Sequence, residues 1–502
     1  MALDDLSQFL QSAADHGELL RVANPIHPEF ELMAVAEQIG REFQEDSPAI
    51  LFEQVRGSTL PVVANLLGST RRFRRSLNCE HWSEVIDRLG AAFSPVAEAS
   101  DWNTPFTGRQ KTDRARLVPR ILRRGACQQI VKLGKDFDLA DFPIPGCWSG
   151  ESGPALTNAV LITQAEAGGP VLERVPIEAI DSNSVRIHWD TLAAGRRLWD
   201  TARAAGRPLP IAIALGGDPL LGYVASLPLP EQLNPWHFAA ALRDQAVNLV
   251  RGRMVELLVP AESEIVFEGY LEPDAPTGTG VMAGAAGGLV ERKDLPELPL
   301  TAATHRGNPL WPTLLNSYTF HEDFVCSALT EQLLLAVLRW SLPEIRDLHL
   351  PRCGGHRRIL FVQVSRNDPE VVSRLSHLLA GTPGTTDASI VVILPEQVPL
   401  RDESAVWRVA ADAVHAKSKA FLRAEPGLSA YDVVQQAASG GRLVIDATPF
   451  AGHGTGALRA SATPEALDQV RGHLRILGWN GGSIADSPQP ARAETPPIRD
   501  KS

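Results

Sequence analysis

The 502-residue chain is poor in cysteine and has no excess of positive charge. Its five cysteines include no Cys-x-x-Cys pair, so nothing indicates a disulfide framework, and a cytoplasmic protein with reduced thiols is expected. A formal net charge of −11 excludes the basic footprint of a protein that binds nucleic acid or an anionic membrane surface. No apolar run approaches the ~20 residues of a membrane span. The opening MALDDLSQFL lacks the basic flank and apolar core of a signal peptide.

What the chain does contain is ordinary for a globular enzyme, with 44% hydrophobic and 21% charged residues. Its length predicts two to three domains. The sequence has no internal repeat and no P-loop, HExxH or GxSxG motif. The function therefore has to be argued from other segments.

The patterning of the chain predicts three domains and a tail. Mixed helices and strands favour an N-terminal α/β unit over residues 1–110. Short strands separated by polar turns fill 111–318, and helices alternate with strands over 319–483, which indicates a C-terminal α/β domain. Residues 484–502 are rich in proline and charge, so a disordered tail is predicted.

Apolar spacing places the individual elements. The predicted helices cover residues 4–17, 30–43, 195–205, 236–244, 322–340, 369–379 and 404–414. The predicted strands cover residues 49–52, 60–63, 129–133, 159–163, 177–180, 185–189, 211–215, 255–258, 265–271, 359–364 and 390–394. A basic run over 107–125 is typical of a solvated helix face or a contact between subunits.

The segment PLPIAIALGGDPLLGYVASLPLP (208–230) is the most distinctive in the chain. A buried strand is predicted up to Leu215, and Gly216, Gly217 and the following Asp-Pro break it. A short helix then runs to the prolines. Such a strand, glycine turn and helix can present backbone N–H groups to an anion, or it can be an ordinary strand-to-helix connection.

The order GGDP, VASLPLP and VELLVPAESEIVFEGYLEP resembles the UbiD family of carboxy-lyases. Further blocks keep the family's order: DLSQFLQSAADHGELLRV, NLLGSTRRF, FDLADFPIPGCW, THRGNP and LVIDATPF. The resemblance covers roughly residues 4–450. It implies an α/β (α+β) protein with a central split β-barrel and a C-terminal domain that drives oligomerisation, so a homo-oligomer is expected.

The resemblance also implies a chemistry. Family enzymes bind prenylated FMN with a divalent metal, typically manganese, and a monovalent cation near its phosphate. Their ligands are an Asn, a Glu and often a His, and an Arg beside two glutamates handles the substrate acid. Matched position by position, this chain has apolar or hydroxyl side chains at the metal, Arg and Glu places, in the order Val171, Pro176, Leu192, Pro235, Thr277 and Met282. Thr382 marks the region where a family lysine is absent.

Several polar residues remain in the expected pocket. Arg174 is the candidate for holding a substrate carboxylate, and His188 or Asp190 for relaying protons. The residues expected on the cofactor side are Trp189, Gly216, Gly217 and Ser226, and no metal ligand is predicted. Other pocket candidates are Glu173, His237, Thr277 and Thr279.

Each candidate also has a purely structural interpretation. His188 and Trp189 could be core residues, and Arg174 could form a surface ion pair with the adjacent Glu173. The glycine-rich stretch 277–288 is typical of a mobile loop.

The sequence thus predicts a UbiD-like carboxy-lyase for an aromatic or α,β-unsaturated carboxylic acid, without the prenylated FMN and metal of the family. Prenylated FMN with manganese and potassium is expected only under a different alignment of these segments. The alternatives are a non-catalytic subunit that binds a catalytic UbiD partner or a ligand, and a repurposed cofactor-free biosynthetic enzyme.

Overall fold

The computed structural model describes residues 5–448 except for several short gaps and two longer ones. The gaps are residues 45, 94–116, 165–167, 192, 231–232, 285–287, 316, 318–321, 355–357, 366–367, 383, 386–387, 416–419 and 425–440. All described residues belong to one compact unit, 1–450. The predicted tail and most of the basic run lie outside the described residues.

Helices flank the sheets along the described chain. They are α1 Leu6–Asp15, α2 Glu31–Phe43, α3 Thr70–Ser76, α4 Trp82–Phe93, α5 Ala194–Ala204, α6 Pro219–Ser226, α7 Pro235–Arg243, α8 Glu322–Ser341, α9 Pro369–Gly381 and α10 Glu403–His415.

The strands of the first two thirds of the chain build three sheets. They are β1 Leu19–Val22, β2 Ala49–Phe52, β3 Val62–Ala64, β4 Arg120–Leu122, β5 Ile130–Leu133, β6 Ala155–Leu156, β7 Ala159–Gln164, β8 Pro170–Glu173, β9 Ile177–Ala179, β10 Ser184–Ile187, β11 Leu209–Leu215, β12 Asn248–Arg251, β13 Leu258–Pro260, β14 Ile265–Leu271, β15 Thr277–Ala283, β16 Leu289–His305 and β17 Trp311–Thr313. A fourth sheet contains β18 Ile345–His349, β19 Ile359–Val364, β20 Ile390–Pro395, β21 Ala420–Ala424 and β22 Gly441–Asp446.

The N-terminal sheet has the strand order β1-β2-β3-β17. Helix α1 begins at Asp5, whose side chain accepts a hydrogen bond from the Gln8 amide, and it buries the apolar face set by Leu6 and Phe9. The chain turns at Gly17, whose φ of +69° suits glycine. The last strand of this sheet, β17, comes from far along the chain and pairs in parallel with β3.

The central sheet is a curled half-barrel, which confirms the split β-barrel type of domain that the family resemblance implied. Its strand order is β6-β9-β10-β16-β14-β11-β7-β8, and β15 and β5 both pair with β16. A separate three-stranded sheet has the order β13-β12-β4, with β12 antiparallel to β13 and parallel to β4. The long strand β16 joins the parts, because it pairs with β15 at its start, with β10 in its middle and with β14 at its end.

The C-terminal sheet has the order β18-β19-β20-β22-β21, with β19, β20 and β22 parallel. Helix α8 connects it to the rest of the unit. Glu322, in its first turn, accepts hydrogen bonds from the backbone amides of Leu67 (3.1 Å) and Leu315 (2.9 Å), and Asp323 pairs with Arg174. By length and composition alone α8 is the one described helix that could cross a membrane, but 44% of its most apolar window is buried inside the protein.

Three sequence-based element predictions differ from the structure. The strand predicted over 255–258 begins only at Leu258, because the Glu268 carboxylate accepts the amides of Arg253, Met254 and Val255 at 2.6–3.0 Å and bends the chain before it. The described end of the basic run contains β4 instead of a helix. The glycine-rich stretch predicted as a loop is strand β15 over Thr277–Ala283.

The turn that carries Gly216 and Gly217 packs against residues 262–264. Both glycines have positive φ, +72° and +86°, and a Cβ on Gly216 would lie 2.4 Å from Cγ of Glu264. The Glu264 carboxylate is buried beside Arg306, which also contacts Asp5 and Glu262. Burial raises the pKa of Glu264 to about 7.

We expect Glu264→Gln to gain stability relative to the wild type as the pH rises from about 5 to about 8, with no further gain up to pH 9. The folded protein holds the Glu264 proton more tightly than the unfolded chain, so stability is lost as the pH passes through the raised pKa, by up to about 3 kcal/mol. The amide keeps an oxygen for the Leu310 N–H, which Glu264 accepts at 3.1 Å. Urea unfolding at several pH values measures the difference.

Glu53→Gln is the matched control, since Glu53 forms an exposed ion pair with Arg21. A constant difference between Glu264→Gln and the wild type across this pH range would contradict the expectation.

Candidate active site

Strands β9 and β10 have one apolar and one polar face. Ile177, Val185 and Ile187 point into a hydrophobic core, and the alternate residues point the other way. The register places Arg186 of β10 opposite Glu178 of β9 on one side and opposite Glu297 of β16 on the other. An arginine therefore lies between two glutamates across three adjacent strands.

The three side chains of this row are in contact. Nη1 of Arg186 lies 3.1 Å from Oε2 of Glu178, and Nη2 lies 2.7 Å from Oε1 of Glu297. The side chains of Glu178, Arg186 and Glu297 are 6%, 14% and 24% exposed, so the row is buried at its Glu178 end and reaches solvent at Glu297. Charged hydrogen bonds of this kind are stronger than neutral ones.

His188 extends the row into the protein interior. Its Nε2 lies 2.9 Å from Oε2 of Glu178, and its side chain is fully buried. Burial lowers the pKa of His188, and the nearby Arg292 and Arg186 lower it further, against the opposing effect of Glu178. Burial raises the pKa of Glu178, but its bonds to His188 and Arg186 outweigh burial and the net pKa is lowered.

The neighbouring charges fix the protonation of this pair. An ionised Glu178 accepts the Nε2 proton of a neutral His188, which assigns the tautomer and leaves Nδ1 as an acceptor. Within the described residues, Nδ1 of His188 is buried and has no hydrogen-bond partner. His188 and Glu178 together have the composition of a general base and the group that orients it.

Strand β15 lies directly over this cluster. A Cβ on Gly280 would be 2.5 Å from Cε1 of His188 and 2.8 Å from Oε2 of Glu178. A Cβ on Gly278 would be 2.6 Å from Nε of Arg186, and the carbonyl of Thr279 accepts a hydrogen bond from Arg186 at 3.3 Å. The glycines of this strand therefore let its backbone cover the cluster at contact distance.

Arg174, the sequence-predicted carboxylate ligand, is buried and forms an ion pair with Asp323 of α8. It does not pair with Glu173, so the interpretation as a surface pair of neighbours is wrong. Glu173 instead accepts hydrogen bonds from Nε1 of Trp189 (2.8 Å) and from the Gly195 amide (3.1 Å). The proposed catalytic role of Arg174 stays a prediction.

The other predicted residues lie in several elements and are not gathered into one cluster with Arg174. Asp190 is half-buried just after β10 and accepts a hydrogen bond from the Thr191 hydroxyl at 3.3 Å. Trp189 lies in the hydrophobic core and is 2% exposed, which agrees with its interpretation as a core residue. Thr277, Thr279 and His237 are exposed.

The residues expected near a flavin phosphate already contact other parts of the protein. Gly216 and Gly217 face the carboxylate-bearing turn 262–264, and the Ser226 hydroxyl donates to the Tyr223 carbonyl at 2.7 Å. Thr382 likewise donates to the Leu378 carbonyl. The arginine at this turn, Arg306, is already paired with Asp5, Glu262 and Glu264, so the turn offers a dianionic phosphate no uncommitted cation and does not fit the group.

The expected metal positions do not fit a cation either. Val171 lies in β8, and Pro235 is the first residue of α7, whose N-cap is Asn234. Leu192 and Glu231 lie outside the described residues. In the part of the chain that the structure describes, no group of three or more His, Cys, Asp or Glu side chains is placed to hold a metal ion.

Sequence reasoning missed Glu178, Arg186 and Glu297. The alternation of Val185, Arg186, Ile187 and His188 was a usable signal, since a strand with this pattern has one polar face. Glu297 had no such signal, because its position opposite Arg186 depends on the register of two strands that are 111 residues apart.

Comparisons with known proteins agree with this architecture. The family models of the 3-octaprenyl-4-hydroxybenzoate carboxy-lyases match in three parts: the N-terminal domain over residues 10–92, the Rift-related domain over 120–318 and the C-terminal domain over 323–447. An uncharacterized protein of Aquifex aeolicus is 28% identical over 457 residues, 88% of this chain and 91% of that one.

Solved structures show the same fold. The vanillic acid decarboxylase of Sedimentibacter hydroxybenzoicus in its closed form has a TM-score of 0.77 at 21% identity, covering 99% of this chain and 97% of that one. A UbiD-class enzyme of Pelotomaculum thermopropionicum in complex with FMN has a TM-score of 0.73 at 22% identity, covering 88% and 94%. With all three domains matched in order, the chain belongs to the UbiD family.

Proposed function

We propose that the protein is a carboxy-lyase that acts on an aromatic or α,β-unsaturated carboxylic acid without the prenylated FMN and metal of its family. The observation that supports it is the row Glu178–Arg186–Glu297 with His188 at its buried end. The family resemblance implies an Arg beside two glutamates in the reaction centre, and this row has the same composition. Segments matched to the family's reaction centre meet at this row. The His188 amide donates to the carbonyl of Pro176 at 3.0 Å, and β15, which carries Thr277 and Met282, covers His188.

Arg186 is the residue proposed to bind the substrate carboxylate. Its guanidinium is partly exposed and its planar fork suits a carboxylate in two-point contact. Both arginines are already paired, but Arg174 is the more deeply buried, with its side chain 9% exposed against 14% for Arg186. In the bound complex, the substrate carboxylate replaces part of the contact between Arg186 and Glu297.

Proton transfer is assigned to His188, which Glu178 orients. In a decarboxylation the bond to the carboxylate carbon breaks, CO₂ leaves, and the electron pair stays on the substrate carbon, which takes a proton. Without a flavin as electron sink, the substrate has to provide its own, and a hydroxyl group conjugated with the carboxylate-bearing carbon can do so. His188 Nδ1 takes the hydroxyl proton, and the carboxylate-bearing carbon takes a proton while the oxygen becomes a carbonyl. Loss of CO₂ then returns the electron pair of the broken bond to the conjugated system, and the oxygen recovers its proton from His188.

Two further functions use the same observations. A non-catalytic subunit or ligand-binding protein is favoured by the cover that β15 forms over the cluster. A repurposed cofactor-free enzyme would use the same base for another proton transfer. In each case we propose a homo-oligomer with a small carboxylic acid as ligand, and a catalytic UbiD partner for the non-catalytic alternative.

We expect Arg186→Ala to lower kcat/KM for decarboxylation by about 10²–10³, the usual loss when one charge-stabilising donor is removed. The assay is CO₂ release from a panel of hydroxybenzoate-like and cinnamate-like acids. Arg21→Gln is the control, because it removes an arginine from an exposed ion pair with Glu53.

Arg174→Ala separates the two arginines. We expect it mainly to destabilise the fold by removing the pair with Asp323. Full activity of Arg186→Ala together with an inactive, folded Arg174→Ala would return the assignment to Arg174. A wild type that binds an acid without turning it over would favour the non-catalytic alternative.

The pH profile tests His188. Since burial lowers its pKa, the base stays neutral below the ordinary histidine value, and we expect the acid limb of kcat/KM to lie below about 6.5. Glu178 raises the His188 pKa, so Glu178→Gln should move this limb to still lower pH and reduce kcat. An acid limb above neutral pH would be inconsistent with His188 as the base.

We also expect the purified protein to be colourless and to contain no stoichiometric manganese or magnesium. The reason is that Val171 and Pro235 stand at ligand positions and the glycine turn faces carboxylates. Absorbance spectra after co-production with a prenyl-flavin synthase, together with elemental analysis, measure both. A yellow preparation that holds about one equivalent of manganese after chelator dialysis would show the alignment to be wrong.

A further inference from the structure

The hairpin of β15 and the start of β16 is attached to the central sheet at one end. Residues 297–305 of β16 pair with β10 and β14, whereas 289–296 pair only with β15 among the described strands. The hairpin therefore continues beyond the sheet edge and folds back over Arg186 and His188.

A bulge lies where the hairpin leaves the sheet. The register shifts between Gly278 and Gly280, so that the single residue Thr279 faces both Lys293 and Asp294. Asp294 has a φ of +54°, in the left-handed region that is uncommon for a residue with a side chain. Bulges bend the strand that carries them, and here the bend directs the hairpin onto the cluster.

A second set of contacts holds the far part of β15 down. The Ser152 hydroxyl accepts the Val281 amide at 2.6 Å, and the Ser152 amide donates to the Val281 carbonyl at 2.9 Å. The Glu151 carboxylate accepts the Ala283 amide at 2.9 Å and the Trp148 amide at 2.9 Å. The same segment reaches the cluster itself, since a Cβ on Gly153 would lie 3.6 Å from Oε1 of Glu178.

We propose that the described residues 280–284 and 288–292, called the flap below, open and close over His188 and Glu178, with the bulge at Thr279 and Asp294 as hinge and Glu151 and Ser152 as latch. His188 is fully buried under Gly280, so no ligand reaches it from this side while the flap is closed. Ser152 is exposed, so water competes for the latch bonds. Opening uncovers the buried Met282 and Val290, which keeps the open state a minor one.

The role of the flap in substrate entry rests on the proposed function, but its opening does not. Opening is measurable as access to the His188 imidazole, with or without turnover. Glu151 and Ser152 are positioning residues in this scheme, because they act through β15 and do not touch a substrate.

The experiment locks and unlocks the flap in one protein. Ser152→Cys with Val281→Cys joins the two residues that exchange backbone and side-chain bonds, on a Cys353→Ser background that removes the exposed native thiol. The probe is diethyl pyrocarbonate, and the modification of each histidine is followed by peptide mass spectrometry. His377, which is exposed, serves as the internal control.

We expect His188 to be modified at least about fivefold more slowly in the oxidised protein than in the same protein after reduction. The reason is that the rate of modification follows the fraction of molecules with an open flap. The rate at His377 should be unchanged. Glu151→Ala removes the latch bond to the Ala283 amide and should speed His188 modification several-fold over the wild type. Equal His188 rates in the oxidised and reduced forms, with the disulfide confirmed by mass, would overturn the flap.

Activity measurements on the same samples separate the two proposals. Slow modification and lost decarboxylation in the oxidised form, both restored by reduction, support the flap and its role in entry. Restored modification without any decarboxylation in the reduced form supports the flap and removes the proposed function.

Discussion

The burial of one guanidinium between two carboxylates sets the arrangement of the site. A charge taken out of water is expensive unless partners surround it, and Arg186 finds them only because β10 lies in register between β9 and β16. A slip of one residue in either pairing would turn Glu178 or Glu297 to the opposite face. The register of β9, β10 and β16 therefore also determines whether the charge of Arg186 is neutralised.

The same constraint explains why glycine recurs in β15. The row and His188 fill the face of β9 and β10, and only a backbone without side chains fits directly above them at positions 278 and 280. The resemblance implies that family enzymes carry two glutamates in this segment, at the positions of Thr277 and Met282 here. Here the carboxylates come from the sheet below, at Glu178 and Glu297, and the covering strand contributes backbone.

Most of the fold followed from the sequence, because apolar periodicity and the ordered family blocks both point to it. Strand β15 was missed, since its glycines obscure the pairing that its backbone makes along β16. Adjacency suggests a pair of Arg174 with Glu173, but Glu173 ends β8 and accepts bonds from Trp189 and Gly195, whereas Arg174 pairs with Asp323, which lies 149 residues away in the chain. The cluster itself could be predicted only in part. The alternation around His188 reveals a polar face, whereas the contact with Glu297 needs the tertiary register.

The parallel pairing of β3 with β17 has a consequence for synthesis of the chain. The two strands are separated by about 250 residues, which a ribosome adds in roughly 12–50 s at ~5–20 residues per second. During that interval the edge of β3 has no partner strand, and an unpaired edge is a template for pairing with another chain. The N-terminal sheet can be completed only after the whole half-barrel has emerged, so the order of translation and the order of folding differ in this protein.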